Sequence, residues 1–222
     1  TGGELRGVAP FDVANYRLLD ILPYRMLRMI GDVDSGAEYQ TWLARTSDED
    51  RVCEVIVRAM HALRSEWDLL WIPNLESWSG AHEPMVRALR AGRLGIRSRP
   101  RDFSTVTLPA DYQAFLASMS TNRRQQIRRN TKKILSKPGV EVRKVTTHDE
   151  LGPALDALFR LHGKRWRAVG QDGVFDRNVK EREFYECFAP EALARGWLAV
   201  YTLFDGSEPK AVQIGYVYGR AF

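Results

Sequence analysis

Helical and strand periodicities alternate along this chain, and that alternation limits its fold more than any other feature. Val52, Val55, Ile56, Ala59, Met60 and Leu63 recur at helical spacing within residues 49–66. The apolar run Asp68–Pro73 then predicts a buried strand, and Glu83–Ala91 a helix closed by Gly92. Arg93–Ser98 and Ser104–Leu108 predict further strands, and residues 1–20 one or two short ones, in GELRGVA and VANYRLL. Strands set between helices predict an α/β (α+β) protein with mixed β-sheets flanked by helices.

The second half begins at Pro109 with a short helix, DYQAFLASM, and a basic helix ending at Pro138–Gly139. Val140–Thr146 alternates as a strand should. Glu150–Ala168 predicts a long helix carrying Leu151, Leu155, Leu158, Phe159, His162 and Trp166 on one face. Asp176 is expected to cap the next helix, and Pro190 to break it before Gly196. Trp197–Phe204 and Ala211–Tyr218 then predict a hairpin across DGSEPK. The 222 residues suit one large domain or two small ones, with lobes expected at 1–108 and 109–222.

Charge is distributed unevenly. Seven of the 33 bases lie between Arg123 and Lys137 with no acid among them, leaving 26 bases against 28 acids elsewhere. One segment therefore carries the whole net charge of +5. On a helical projection Ile127, Thr131 and Ile134 mark the inward stripe, Arg124, Arg128 and Lys132 form one flank, and Arg129 and Lys133 lie behind. Three like-charge i, i+4 pairs each cost roughly 0.2–0.5 kcal/mol in an isolated helix. Arg123 and Arg124 also sit where the helix dipole disfavours cations. A helix shaped only for stability would interleave glutamates, so an anionic ligand is favoured over a merely solvated face. Phosphates of a cofactor, a tRNA or a lipid carrier would each serve. The segment has no aromatic for base stacking, which weakens nucleic acid as its main partner.

Other constellations are less decisive. LHGKRW places His162, Arg165 and Trp166 on adjacent positions of one helix face. The simpler reading is a hydrogen-bonded core histidine beside a core tryptophan. The functional one is a pocket wall in which Arg165 binds an anion and His162 manages a proton. Gln213 shares a strand face with Ala211 and Gly215, beside Tyr216 and Tyr218, and small neighbours would let a substrate reach the backbone. A satisfied buried amide fits that position equally. Trp42, Trp67, Trp71 and Trp78 suit packing better than a ligand cage. Cys53 and Cys187 stand apart with no CxxC pattern, which favours a reduced, cytoplasmic setting and no zinc. LLWIP and WLAVYTLF are too short to span a bilayer. The chain opens without a charged-then-apolar leader, so any targeting segment is expected outside it. Walker A, GxGxxG, HExxH and GxSxG patterns are missing.

Taken in order, LPADYQAFLASMSTNRRQQIRRNTKKI, LFRLHGKRW, GVFD and GWLAVYTLFDGSEPKAVQIGYVYG resemble the GNAT-superfamily acyltransferases of the CelD-like and FemAB-like branch. The resemblance covers about residues 104–222 and implies two GNAT-like lobes in tandem. It implies transfer of an acyl group from acyl-CoA, acetyl-CoA among them, or of an aminoacyl group from tRNA, to an amine on a polysaccharide or cell-envelope precursor. Carried over by motif, His162, Arg165 and Gln213 are the implied catalytic positions, and Trp166, Tyr216 and Tyr218 the substrate-binding ones. Arg123, Arg124, Arg128, Arg129, Lys132 and Lys133 would hold the phosphates of a donor or carrier, and no metal is implied. The second lobe looks truncated, since such lobes continue past the hairpin and this chain stops at Phe222, so a fragment is expected. The alternative is a non-catalytic GNAT-like module whose basic helix binds RNA or another polyanion.

Overall fold

The computed structural model describes residues 4–31, 38–77, 80, 82–104 and 106–219. The chain packs as two compact units, residues 1–104 and 105–222. Among the described residues it is a mixed α/β protein with three small sheets and seven α-helices.

In the first unit, β1 (Gly7–Val8) pairs antiparallel with β4 (Leu43–Ala44). A second sheet has the order β2-β3-β5, from β2 (Phe11–Leu18), β3 (Leu22–Met29) and β5 (Leu69–Trp71). The β2–β3 hairpin is held by facing side chains: Arg28 bonds Asp12 at 3.0 Å and the Tyr16 and Tyr24 rings stack at 5.7 Å. Arg25 closes the sheet by an ion pair to Asp68 at 3.1 Å and a backbone N–H donated to the same carboxylate at 2.7 Å. Helices α1 (Glu49–Ala62) and α2 (His82–Ala91) supply the rest of the core, with Cys53, Val57, Met60, Met85, Ala88 and Leu89 buried beside Leu27, Met29, Trp42 and Trp67. A 3₁₀ turn at Arg64–Glu66 ends the expected 49–66 helix early. Gly92 closes α2 as expected, its N–H bonding the Ala88 carbonyl at 2.9 Å.

Several strand expectations fail here. The strand expected over Asp68–Pro73 is short and open: Leu69 and Trp71 are 45% and 48% exposed, because β5 is an edge strand. Arg93–Ser98 and the described part of Ser104–Leu108 form no strand, and most of their residues are exposed. Alternation alone cannot make a strand when no neighbour supplies a ladder. Trp78 lies outside the described residues.

The second unit contains α3 (Tyr112–Ala117), α4 (Thr121–Leu135), β6 (Val140–Lys144), α5 (His148–Arg167), α6 (Val174–Arg177), α7 (Val179–Ala194), β7 (Leu198–Asp205) and β8 (Glu208–Tyr216). β7 is the central strand of an antiparallel sheet of order β6-β7-β8. Gly206, at φ 62°, opens the two-residue turn between β7 and β8, where a side chain would be strained. One face of the sheet presents Leu198, Val200, Thr202, Val212, Ile214 and Tyr216; Leu151, Ala154, Leu155 and Phe159 of α5 and Ala189 and Ala192 of α7 share a core with it. Pro190 does not break α7. Proline removes one helical hydrogen bond, and the complete burial of its neighbours Ala189 and Ala192 offsets that loss. Nor does Asp176 cap the helix: it lies within α6, and Asn178 accepts the Lys180 N–H at 3.1 Å instead.

The start of α5 is anchored by Glu150. Its carboxylate accepts the Thr146 N–H at 2.7 Å, the Thr147 N–H at 3.1 Å and the Thr146 hydroxyl at 3.1 Å. Those donors, the Thr146 N–H first, hold its pKa below the ordinary glutamate value. A lowered folded pKa gives stability that is present above the unfolded value, about 4.3, and is lost as pH falls through the folded one. Glu150→Ala should therefore lower the melting temperature at pH 7, with the gap to the parent narrowing below about pH 4. Circular-dichroism melts at both pH values test this; an equal gap at pH 7 and pH 3 would exclude the carboxylate as its source.

Candidate functional site

The carboxyl half of α5 carries His162, Arg165 and Trp166. The Trp166 indole N–H donates to His162 Nε2 at 2.9 Å, the i, i+4 contact that helical spacing allows. An accepting Nε2 leaves the proton of the neutral ring on Nδ1. Nδ1 is buried and has no hydrogen-bond partner. Phe175 of α6 packs edge-on to the imidazole at 4.8 Å, and Gly173 closes over it. A Cβ on Gly173 would lie 2.5 Å from Nδ1, so the sealing position accepts no side chain.

Burial holds the His162 pKa below its ordinary value; Asp176 pulls it upward and Arg165 pushes it down. The ring is thus a neutral, half-buried group. Arg165 is exposed on the same part of α5. Gly163 is small for a different reason. A Cβ there would lie 2.7 Å from the Asp176 carboxylate, which pairs with Arg167 at 2.9 Å.

Aromatic contacts lead from His162 across the helices. Phe175 meets Phe159 at 4.8 Å and Tyr185 of α7 at 5.4 Å, and Tyr216 of β8 meets Phe188 of α7 at 5.3 Å. Burial pushes the Tyr216 phenol up to about 12, with Tyr185 and Glu181 adding to the shift, and its hydroxyl has no partner. Glu181 is 8% exposed on α7 and also raises the Tyr185 pKa, after burial. Tyr185 and Glu181 escape a reading of the sequence, and Phe175 enters it only as part of the GVFD motif, with no role of its own. The signal for Glu181 is the capping pattern Asn178-x-x-Glu181, which attention to Asp176 conceals.

Gln213 stands elsewhere. It pairs with Tyr201, and β-strand alternation puts both on the sheet face opposite Val212, Ile214 and Tyr216. That face also carries Ala199, Ala211 and Gly215, and Gln213 is exposed upon it. Tyr218 lies beyond β8, 72% exposed, with its ring 5.4 Å from Trp197. The structure therefore joins His162 to Trp166 and sets Tyr216 on their side of the sheet, whereas Gln213 faces the other way.

The six α4 cations Arg123, Arg124, Arg128, Arg129, Lys132 and Lys133 form a second feature. Ser120 caps the helix by accepting the Arg123 N–H at 3.4 Å. No residue of α4 is buried, and only Arg124 and Ile127 are even half-buried. Arg123 bonds Gln126 at 3.3 Å and Arg128 bonds Gln113 at 3.5 Å. Among the described residues none of the six meets a carboxylate.

Cys53 and Cys187 are free thiols, and burial pushes Cys53 up to about 11, assisted by Asp50 and Glu49. Among the described residues no three His, Cys, Asp or Glu side chains are grouped to hold a metal ion, and no helix is long and apolar enough to cross a membrane. A shallow cleft in the first unit is lined by Arg6, Asp48, Arg51 and Val52, but Arg6 and Asp48 are paired with each other at 3.2 Å.

His162 yields a pH test. Its folded pKa lies below the unfolded value of about 6.5, so its stabilising contribution is present above that pH and lost as pH falls through the folded value. His162→Gln should flatten the decline in denaturant midpoint between pH 7.5 and 5.5. Equal declines in parent and variant would assign the pH response to other groups.

Residues 121–222 match the family model for an acetyltransferase (GNAT) domain. No curated protein and no solved structure matches the chain. The match begins with α4 and runs through the β7–β8 hairpin. The part of the chain bearing His162, Gln213 and the basic helix is thus similar to a GNAT acetyltransferase domain, a relationship that supports a general acyltransferase function.

Proposed function

We propose that the second unit serves an N-acyltransferase that uses an acyl-CoA donor, acetyl-CoA being the simplest. The observation that carries this reading is the match of residues 121–222 to an acetyltransferase domain. In the reaction an amine nitrogen attacks the thioester carbonyl carbon. The C–N bond forms, the C–S bond breaks, the thiolate leaves with the electron pair, and the ammonium proton passes to the thiolate or to solvent. Direct attack needs positioning and a polarised carbonyl rather than a protein nucleophile.

The open sheet face suits that role better than the sealed histidine does. Gln213 supplies an exposed amide between small neighbours, and Tyr201 adds a phenol 38% exposed. β8 pairs only with β7 among the described residues, so backbone N–H groups on its other edge are free to face a carbonyl oxygen. His162, its Nε2 occupied by Trp166 and its Nδ1 enclosed, acts as a positioning residue. Arg165 and Tyr218 remain exposed for substrate contact, whereas Tyr216 supports the sheet from beneath. We infer an amine on a polysaccharide or cell-envelope precursor as acceptor, the class implied by the CelD-like and FemAB-like resemblance. An acyl-CoA donor suits a cytoplasmic setting.

Thiol release and product mass, measured for acetyl-CoA and longer acyl-CoAs with amino-sugar and amino-peptide acceptors, test this proposal. Gln213→Ala should lower kcat/KM at least about tenfold, the loss of one contact worth about 1.4 kcal/mol in the transition state. His162→Gln should retain most of kcat. Failure of every acyl-CoA to bind would end the CoA-dependent reading.

A further inference from the structure

We propose that α4 is a docking helix for double-stranded RNA. The inference does not depend on acyl transfer and concerns a surface that the transfer reaction leaves largely unused. Six cations lie within α4, and Lys137 follows its end. Some arginines elsewhere in the second unit, Arg143, Arg167, Arg182 and Arg195, each meet a carboxylate. Among the described residues none of these seven cations does. Their repulsion is therefore unrelieved within the chain, and a polyanion would relieve it.

Geometry narrows the choice of polyanion. Fifteen residues make a helix about 22 Å long. Cations run its full length and occupy the outward face as well as a flank. A single pyrophosphate would engage two or three of them and leave the others unpaired. A bilayer would require an apolar face, but α4 offers only Ile127, half-buried, with Ile134 and Leu135 exposed near its end. Single-stranded nucleic acid is bound by stacking bases on aromatic rings, and α4 contains none.

A double helix has the required form. Asn122, Gln125, Gln126 and Asn130 are interleaved with the cations, and each amide both donates and accepts hydrogen bonds. The wide, shallow minor groove of A-form RNA displays 2′-hydroxyls, which likewise donate and accept, between two rows of phosphates. Amides on the 2′-hydroxyls and cations on the flanking phosphates would use both side-chain types of α4 together. DNA provides the phosphates without the hydroxyls. The absence of any buried α4 residue leaves this face open for such contact.

The test uses the 222-residue chain and fluorescence anisotropy with a labelled RNA duplex of about 16 base pairs, the span that two successive minor grooves provide. A DNA duplex of the same sequence, the single RNA strand and anionic phospholipid vesicles are the competing probes. RNA duplex should bind most tightly. The combined change of Arg128, Arg129, Lys132 and Lys133 to Gln should weaken it at least tenfold and reduce the slope of log K against log salt by up to about 3.6, roughly 0.9 for each of four lost phosphate contacts. Because it removes like-charge repulsion, this variant should melt no lower than the parent, which guards against simple unfolding. Gln125→Ala with Asn130→Ala should weaken RNA more than DNA. Tighter binding to DNA or vesicles, or RNA affinity unchanged in the quadruple variant, would overturn the proposal. A chain without acyltransferase activity that still binds RNA in this pattern would leave it standing.

Discussion

The burial of Val200 of β7 in one core with Ala189 and Ala192 of α7 is the contact on which the second unit depends. All three have no exposed surface. Alanine is small enough to bring a helix close against a sheet, and close approach maximises dispersion contacts on the central strand. This contact also permits Pro190 to remain inside α7, because the burial of its neighbours offsets the missing hydrogen bond. α7 in turn delivers Tyr185 and Phe188 to the aromatic cluster and Glu181 to its buried place. The surroundings of Tyr216, and the support behind Phe175 where it meets His162, thus follow from the seating of one helix.

Long elements with a strong period were legible in the sequence. α2, α5 and β7 lie within two residues of their expected limits because burial and periodicity agree there, whereas α1 stops at Ala62 and β8 begins at Glu208, inside the connection expected across DGSEPK. The β2–β3 hairpin was not legible. Its turn places Leu19 and Asp20 at φ 53° and 59°, where glycine or asparagine would have announced it. Arg93–Ser98 misleads in the opposite sense, having alternation without a neighbouring strand. Pro190 misleads because propensity is local while the packing that overrules it is not.

The candidate site divides along a similar line. Helical spacing alone brings His162 and Trp166 into contact, and their hydrogen bond is the hydrogen-bonded pair that such spacing suggests. Spacing could not supply Gly173 and Phe175, which enclose the ring from a following segment. Strand alternation already places Gln213 and Tyr216 on opposite faces. What it lacks is the knowledge of which face the helices cover, and that comes from α5 and α7. The consequence is chemical: a residue on the covered face loses water and is driven toward its neutral form, as Tyr216 is, whereas one on the open face, such as Gln213, stays exposed to water.

α4 reverses the usual relation between stability and sequence. Most helices of this chain gain their stability by burying a stripe, as α1, α2 and α5 do. α4 buries no residue, opposes its own dipole at the first turn, and sets like charges one turn apart. Its serine cap, its half-buried Ile127 and the cations Lys132 and Lys133 in its last turn, where the dipole welcomes them, are the local features that favour it. Each unfavourable choice costs only tenths of a kcal/mol, yet all of them lead to one dense positive face. Such a face attracts anions over a Debye length of about 8 Å at physiological salt, well beyond the reach of any hydrogen bond in the sheet. This chain concentrates its whole surplus charge on one unburied helix, so its electrostatics and its buried core reside on different elements of the second unit.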